Sequence, residues 1–228
     1  MKKKNMIKIW AGVPALVLVF AVVMLLWNTA YTRDNKFPDP PAEALGEAGN
    51  TQTAVLAGGC FWGMEAVFEQ LKGVTDVISG YSGGEAKTAH YKVVTKGNTG
   101  HAESIEVTFD PSTISYGKLL KVYFSIAHDP TQLNYQGPDV GTHYRSVIFY
   151  ADEHQKKIAE EYIRTLDQAK VYKKQIVTEL VPLEKFYPAE AYHQDFMERN
   201  PDHPYIVYWD VPKVEHLKKD YPELMVQP

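Results

Sequence analysis

The chain has 228 residues, 45% hydrophobic and 23% charged, which excludes a disordered polymer and supplies a core of moderate size. Net charge is -4 but uneven, because Lys2, Lys3, Lys4, Lys8, Arg33 and Lys36 face only Asp34 in the first 36 residues. The remainder is therefore strongly acidic and would repel a phosphate backbone, which argues against nucleic acid as a partner.

Residues 9–32 carry no charge and include the unbroken apolar run Ala15 to Trp27. A helix of that length at about 1.5 Å per residue crosses a hydrocarbon layer of about 30 Å. Trp10 stands near one end, and Trp27 and Tyr31 near the other, as interfacial rings do. A cleaved export signal shares the basic start, but the run ends Trp27-Asn28-Thr29-Ala30-Tyr31, a weak cleavage site. The expectation is a single-pass signal-anchor over 9–32, with residues 1–8 cytosolic and the body extracytoplasmic. Were the segment cleaved, the body would be secreted or periplasmic. Residues 33–50, rich in Pro, Gly and acid, read as a linker.

In the body, Thr53–Ala57 reads as a short strand running into Gly58-Gly59-Cys60. Phe61 to Lys72 reads as a helix with an apolar face of Phe61, Met64, Ala66, Phe68 and Leu71. Val74–Tyr81 and Ser104–Phe109 read as strands. Ser115 is a candidate cap for a helix to Ala127, and Asp152 for a charged helix to Gln168. Strands are predicted at Ser146–Tyr150 and Val177–Val181, and a helix at Ala189–Arg199. Mixed, not strictly alternating elements favour a two-layer α/β domain.

Cys60 is the only cysteine, so neither an internal disulfide nor a cysteine-cluster zinc site is available. Its setting, Gly58-Gly59-Cys60-Phe61-Trp62-Gly63, puts the sulfur at the first turn of a helix. Unpaired N–H groups and the helix dipole favour a thiolate there. Gly59 would let a substrate come close to the sulfur. Phe61 and Trp62 would ordinarily be core, but beside a nucleophile they could wall a pocket for a small apolar group.

Gly-Cys-Phe-Trp-Gly resembles the signature of the A-type peptide-methionine sulfoxide reductases. The likeness continues in order through Tyr81-Ser82-Gly83-Gly84, Tyr91, and Gly97 to Glu103. It goes on through His128-Asp129-Pro130, Gln136 to Asp139, Gly141 to Ser146, and Ala191-Tyr192-His193-Gln194. It covers roughly residues 52–212, so the reductase domain is placed at 51–212, with 213–228 as a tail without cysteine. The resemblance implies a ferredoxin-like plait with additional helices and long loops. It also implies reduction of methionine S-sulfoxide, free or in proteins, by a monomeric domain. Cys60 would attack the sulfoxide sulfur and Glu103 would protonate its oxygen, held by Tyr91 and Tyr144. Asp139 would help to organise the site, and Phe61 and Trp62 would receive the S-methyl group.

Relatives often carry further cysteines near the C-terminus; from Tyr205 to Pro228 this chain has none. The resemblance therefore implies a Cys60 sulfenic acid reduced by an external, thioredoxin-like thiol, without a bound cofactor or metal. Val140 stands where a histidine is common. Two other readings use the same residues. One is a cysteine hydrolase pairing Cys60 with a histidine such as His193; it leaves Tyr91, Glu103 and Tyr144 without a role. The other is a non-catalytic binder of oxidised segments.

Overall fold

The computed structural model describes residues 37–41 and 50–226. The anchor over 9–32 and most of the linker lie outside them. Among the described residues no helix is long and apolar enough to cross a membrane.

A six-stranded sheet is ordered β7-β6-β1-β3-β2-β8. Its strands are β1 (Gln52–Gly58), β2 (Val74–Ser82), β3 (Ala102–Phe109), β6 (Ser146–Tyr150), β7 (Glu179–Pro182) and β8 (Phe186–Pro188). Within it β6-β1-β3-β2 is wholly antiparallel. With one crossover helix between β1 and β2 and another between β3 and β6, this is the split βαβ order of a ferredoxin-like plait. The edge strand β7 is parallel to β6, and β8 closes the other edge against β2. A two-residue hairpin, β4 (Tyr135–Gln136) with β5 (Asp139–Val140), stands apart.

Strand alternation divides the interior in two. Ala54 and Leu56 of β1 face the main core with Ile105, Val107 and Ile148, under the helices. Val55 and Ala57 point the other way, into a smaller cluster with Ala102, Val147 and Phe149. The helices are α1 (Phe61–Phe68), α2 (Tyr91–Val94), α3 (Tyr116–Val122), α4 (Glu153–Gln168), α5 (Phe196–Arg199) and α6 (Val211–Asp220). Both expected caps form: the Lys118 amide donates to Ser115 Oγ at 3.3 Å, and the Gln155 amide to Asp152 Oδ1 at 2.8 Å. Helix α3 runs on as a π-turn, Tyr123–Ala127.

Three elements depart from the sequence expectation, each for a tertiary reason. Helix α1 stops at Phe68 rather than Lys72, because the Lys72 amide donates to the Leu224 carbonyl and Leu71 bridges to Met225. The helix expected over Ala189–Arg199 is only the single turn of α5. Gln194 instead clasps the backbone of Ser79, accepting from its N–H and donating to its carbonyl at 2.9 Å each, and Asp195 adopts a left-handed φ of 50°. The boundary expected after residue 212 falls inside α6, whose Val214 and Leu217 are buried. At the other end, Asp39 of the expected linker lies 2.8 Å from both Lys118 and Lys121, and the Pro38 carbonyl accepts from the Tyr162 hydroxyl.

Leu217 is fully buried against the same core as α1. Leu217→Ala is expected to cost about 2–5 kcal/mol in denaturant unfolding, the usual range for a buried leucine. A loss below about 0.5 kcal/mol, within the scatter of surface changes, would detach α6 from the cooperative unit.

Candidate active site

Strand β1 ends at Gly58 and is followed by Gly59, whose φ of 101° suits glycine alone. A Cβ there would meet Gln136 Cγ at 2.6 Å, so the space is filled by protein. Gly59 itself is absent from the lining of the cavity around Cys60. This reversal places Cys60 at the N-cap of α1, 9% exposed.

Around the sulfur is a cavity of about 190 Å³ lined by Cys60, Phe61, Trp62, Tyr91, Glu103, Asp139, Tyr144 and Tyr205. Seven of these eight residues are the ones singled out in the sequence, although they come from five separate stretches of chain. Glu103 sits on β3 paired in register with Tyr81 of β2. Its Oε2 accepts from the Phe61 amide at 3.2 Å, which holds the carboxyl against the first turn of α1.

Burial dominates the electrostatics. Glu103 is 2% exposed, and its pKa is pushed up from 4.5 to about 8, mainly by loss of water and further by the charge of Asp139. The Cys60 thiol is pushed well above its ordinary value, first by burial and then by Glu103 and Asp210. The Trp62 amide and Lys213 pull it down, but less. Burial thus opposes the thiolate that the start of the helix favours. At neutral pH a thiol faces a carboxylic acid, which removes the conflict between two neighbouring anions. Burial likewise raises Tyr91 to about 12 and lifts Tyr144, so both hydroxyls keep their protons.

Sequence reasoning missed the residues that hold this lining in place. Trp62 stacks on Phe196 with centroids 3.7 Å apart and planes 8° from parallel, and Tyr205 meets its ring edge-on. Trp62 Nε1 donates to His193 Nδ1 at 3.1 Å. Glu190 accepts from the Tyr91 amide at 3.0 Å and from the Tyr81 hydroxyl at 2.9 Å. The Tyr205 hydroxyl donates to Asp139 Oδ2. Of this shell, only Tyr81 and His193 lie in runs quoted from the sequence, Tyr81-Ser82-Gly83-Gly84 and Ala191-Tyr192-His193-Gln194. Because His193 Nδ1 is taken by Trp62, and its Nε2 is buried without a partner, His193 does not serve Cys60 as a hydrolase base would.

A buried thiol, a protonated carboxyl, two tyrosines and an aromatic wall on an α/β fold are what a cysteine-dependent reductase of an oxygenated substrate needs. The family model for peptide methionine sulfoxide reductase matches residues 52–224. Peptide methionine sulfoxide reductase MsrA 2 of Mesorhizobium japonicum is 56% identical over 177 residues, covering 78% of this chain and 91% of that one. MsrA of Natronomonas pharaonis is 49% identical, covering 76% and 97%. Among solved structures, methionine sulfoxide reductase A of Corynebacterium diphtheriae is similar at TM-score 0.58 and 33% identity, over 73% of this chain and 84% of that one. Reduced Mxr1 from Saccharomyces cerevisiae gives 0.61 and 32%, over 69% and 90%. The chain belongs to the peptide methionine sulfoxide reductase A family, and its activity is the reduction of methionine sulfoxide.

The raised pKa of Glu103 has a stability signature. The folded state keeps a proton that the unfolded chain releases between pH about 4.5 and about 8, so this contribution is full below pH 4.5 and is lost as pH rises through that window. Glu103→Gln is expected to gain stability relative to wild type as pH rises from about 5 to about 8, by at most on the order of 1.4 kcal/mol for each tenfold fall in proton concentration. Parallel stability curves for the two proteins would refute the protonated carboxyl.

Proposed function

We propose that the chain reduces the S epimer of methionine sulfoxide, free or in oxidised proteins, by one-cysteine chemistry. Support comes from the convergence of Cys60, Glu103, Tyr91 and Tyr144 on one cavity walled by Phe61 and Trp62. The basic sulfoxide oxygen takes the proton of Glu103 while Tyr91 and Tyr144 donate hydrogen bonds to it. Glu103 then recovers a proton from the Cys60 thiol. The Cys60 sulfur bonds to the oxygen-bearing sulfur; the protonated oxygen then passes from that sulfur to the Cys60 sulfur as the new sulfur–sulfur bond breaks, and methionine leaves with Cys60 as a sulfenic acid. The sulfenic acid carries the oxygen and the proton that Glu103 gave, and the thiol proton replaces it on Glu103, which starts and finishes neutral. Asp139 orients Tyr205 at the cavity edge, and Phe61 and Trp62 enclose the S-methyl group, where burial of apolar surface favours binding.

With one cysteine in the sequence, the sulfenic acid is returned to thiol by an external thiol, through a mixed disulfide; a thioredoxin-like protein is the proposed donor. No bound cofactor is part of this scheme. We also propose that residues 9–32 anchor the chain in the cell membrane with the domain on the extracytoplasmic side. The absence of charge over that stretch supports this, as does the basic segment before it. Alkaline carbonate is expected to leave the full chain in the membrane pellet and to release a chain lacking residues 1–32. Release of both would remove the anchor.

The chemistry is tested by one turnover on separated epimers without added reductant. Near-stoichiometric methionine is expected from the S epimer alone, with Cys60 trapped by a sulfenic-acid probe. Methionine from both epimers would overturn the specificity, and methionine without a sulfenic acid would overturn the route. The rate is expected to fall as pH rises through about 8, where Glu103 loses its proton. Glu103→Gln should be slower by about 10²–10⁴, the usual worth of a general acid, and should lose that alkaline limb. A variant with the wild-type rate and pH profile would remove Glu103 from the proton transfer.

A further inference from the structure

Cys60 lines a second cavity, of about 240 Å³, together with Ile126, Gln132, Gly137, Trp209 and Lys213. The two cavities share only Cys60, Asp139 and Tyr205, and the Tyr205 hydroxyl donates to Asp139. Glu103, Tyr91 and Tyr144, which hold the oxygen in the proposed reaction, line the first cavity and not the second. Lys213 Nζ lies 3.2 Å from Asp210 Oδ1; Asp210 is fully buried, while the lysine side chain keeps 21% exposure.

Displacement at sulfur proceeds in line: the attacking thiolate, the sulfur and the departing oxygen lie on one axis. An oxygen left on the Glu103 side must be expelled by a thiolate arriving from the opposite side. We infer that the reducing thiol reaches Cys60 through the second cavity, and that Lys213 is the positioning cation that draws the thiolate in. This rests on the one-cysteine chemistry proposed above. The thiolate sulfur bonds to the Cys60 sulfur, the sulfur–oxygen bond breaks, and hydroxide leaves and is protonated to water. Cys60 is thereby reduced from sulfenic acid to mixed disulfide as the incoming sulfur is oxidised. A second thiolate then takes the reductant's sulfur as a disulfide and frees Cys60. Substrate and reductant would thus use opposite faces of one sulfur, and methionine need not leave before the thiol arrives.

The test forms the Cys60 sulfenic acid by one turnover on full-length protein, quantifies the methionine released, and then adds thiols of different charge. Against Lys213→Met, the rate ratio of 2-mercaptoethanesulfonate to cysteamine is expected to fall roughly 3–10-fold, as loss of a nearby cation dictates. Because Lys213 neutralises Asp210, the ratio is read again in Lys213→Met with Asp210→Asn; a lysine that serves only that pairing gives the wild-type ratio there, and this result overturns its role. Ile126→Trp, which fills the second cavity, is expected to slow thiol reduction about tenfold or more while methionine release in the first turnover keeps its rate. Thioredoxin is run beside the small thiols; a source that Ile126→Trp slows uses this route. If neither source is slowed, or if methionine release falls equally, the second cavity is not the thiol's path. Failure of the wild-type protein to release methionine in the first turnover would instead overturn the reductive chemistry on which the inference rests.

Discussion

The hydrogen bond from the Phe61 amide to Glu103 Oε2 joins a buried carboxyl of the sheet to the first turn of the helix that carries the nucleophile. A carboxyl on a central strand, 2% exposed, would be ruinous if charged and unpaired. Protonation relieves most of that cost, and the amide satisfies one oxygen. The same burial keeps Cys60 as a thiol. An acid and a thiol stored side by side without charge are stable in the resting protein, and a basic sulfoxide oxygen supplies the acceptor that would set the proposed proton movement going. The dry site is thus both the source of its pKa values and the reason the resting enzyme tolerates them.

Around this pair the fold builds rigidity from aromatic rings rather than from ion pairs. Trp62 is fixed on one face by Phe196, on an edge by Tyr205 and at its nitrogen by His193. These partners come from the segment after β8, which Gln194 ties to β2 through Ser79. The C-terminal helix α6 then packs Val214 and Leu217 into the main core and brings Lys213, paired with Asp210, to a second cavity beside Cys60. A segment without cysteine still shapes the surroundings of the sulfur.

Much of this architecture is legible along the chain. The strand–glycine–cysteine–helix sequence predicts the β1–α1 junction because glycine permits the left-handed turn at Gly59, and the polar side chains of Ser115 and Asp152 mark helix starts because they cap free amides. The period-two pattern Ile105, Val107, Phe109 marks β3. The candidate site residues are legible through ordered motifs, since identity and spacing are written along the chain. Boundaries are less so: α1 ends early at Phe68 because Lys72 finds a carbonyl in Leu224, more than 150 residues away. No local signal carries such a pairing.

The sequence by itself determined the one-cysteine constraint, the acidic body with its basic and apolar N-terminal segment, the strand and helix periods, and the set of side chains available for chemistry. The tertiary structure decided what those side chains are. It made Glu103 an acid and Cys60 a thiol by excluding water, filled the space at Gly59 with Gln136, and turned His193 towards Trp62. Composition and spacing describe neighbours along the chain, whereas protonation state and access depend on neighbours across it, and those exist only once the sheet and helices have closed over the site.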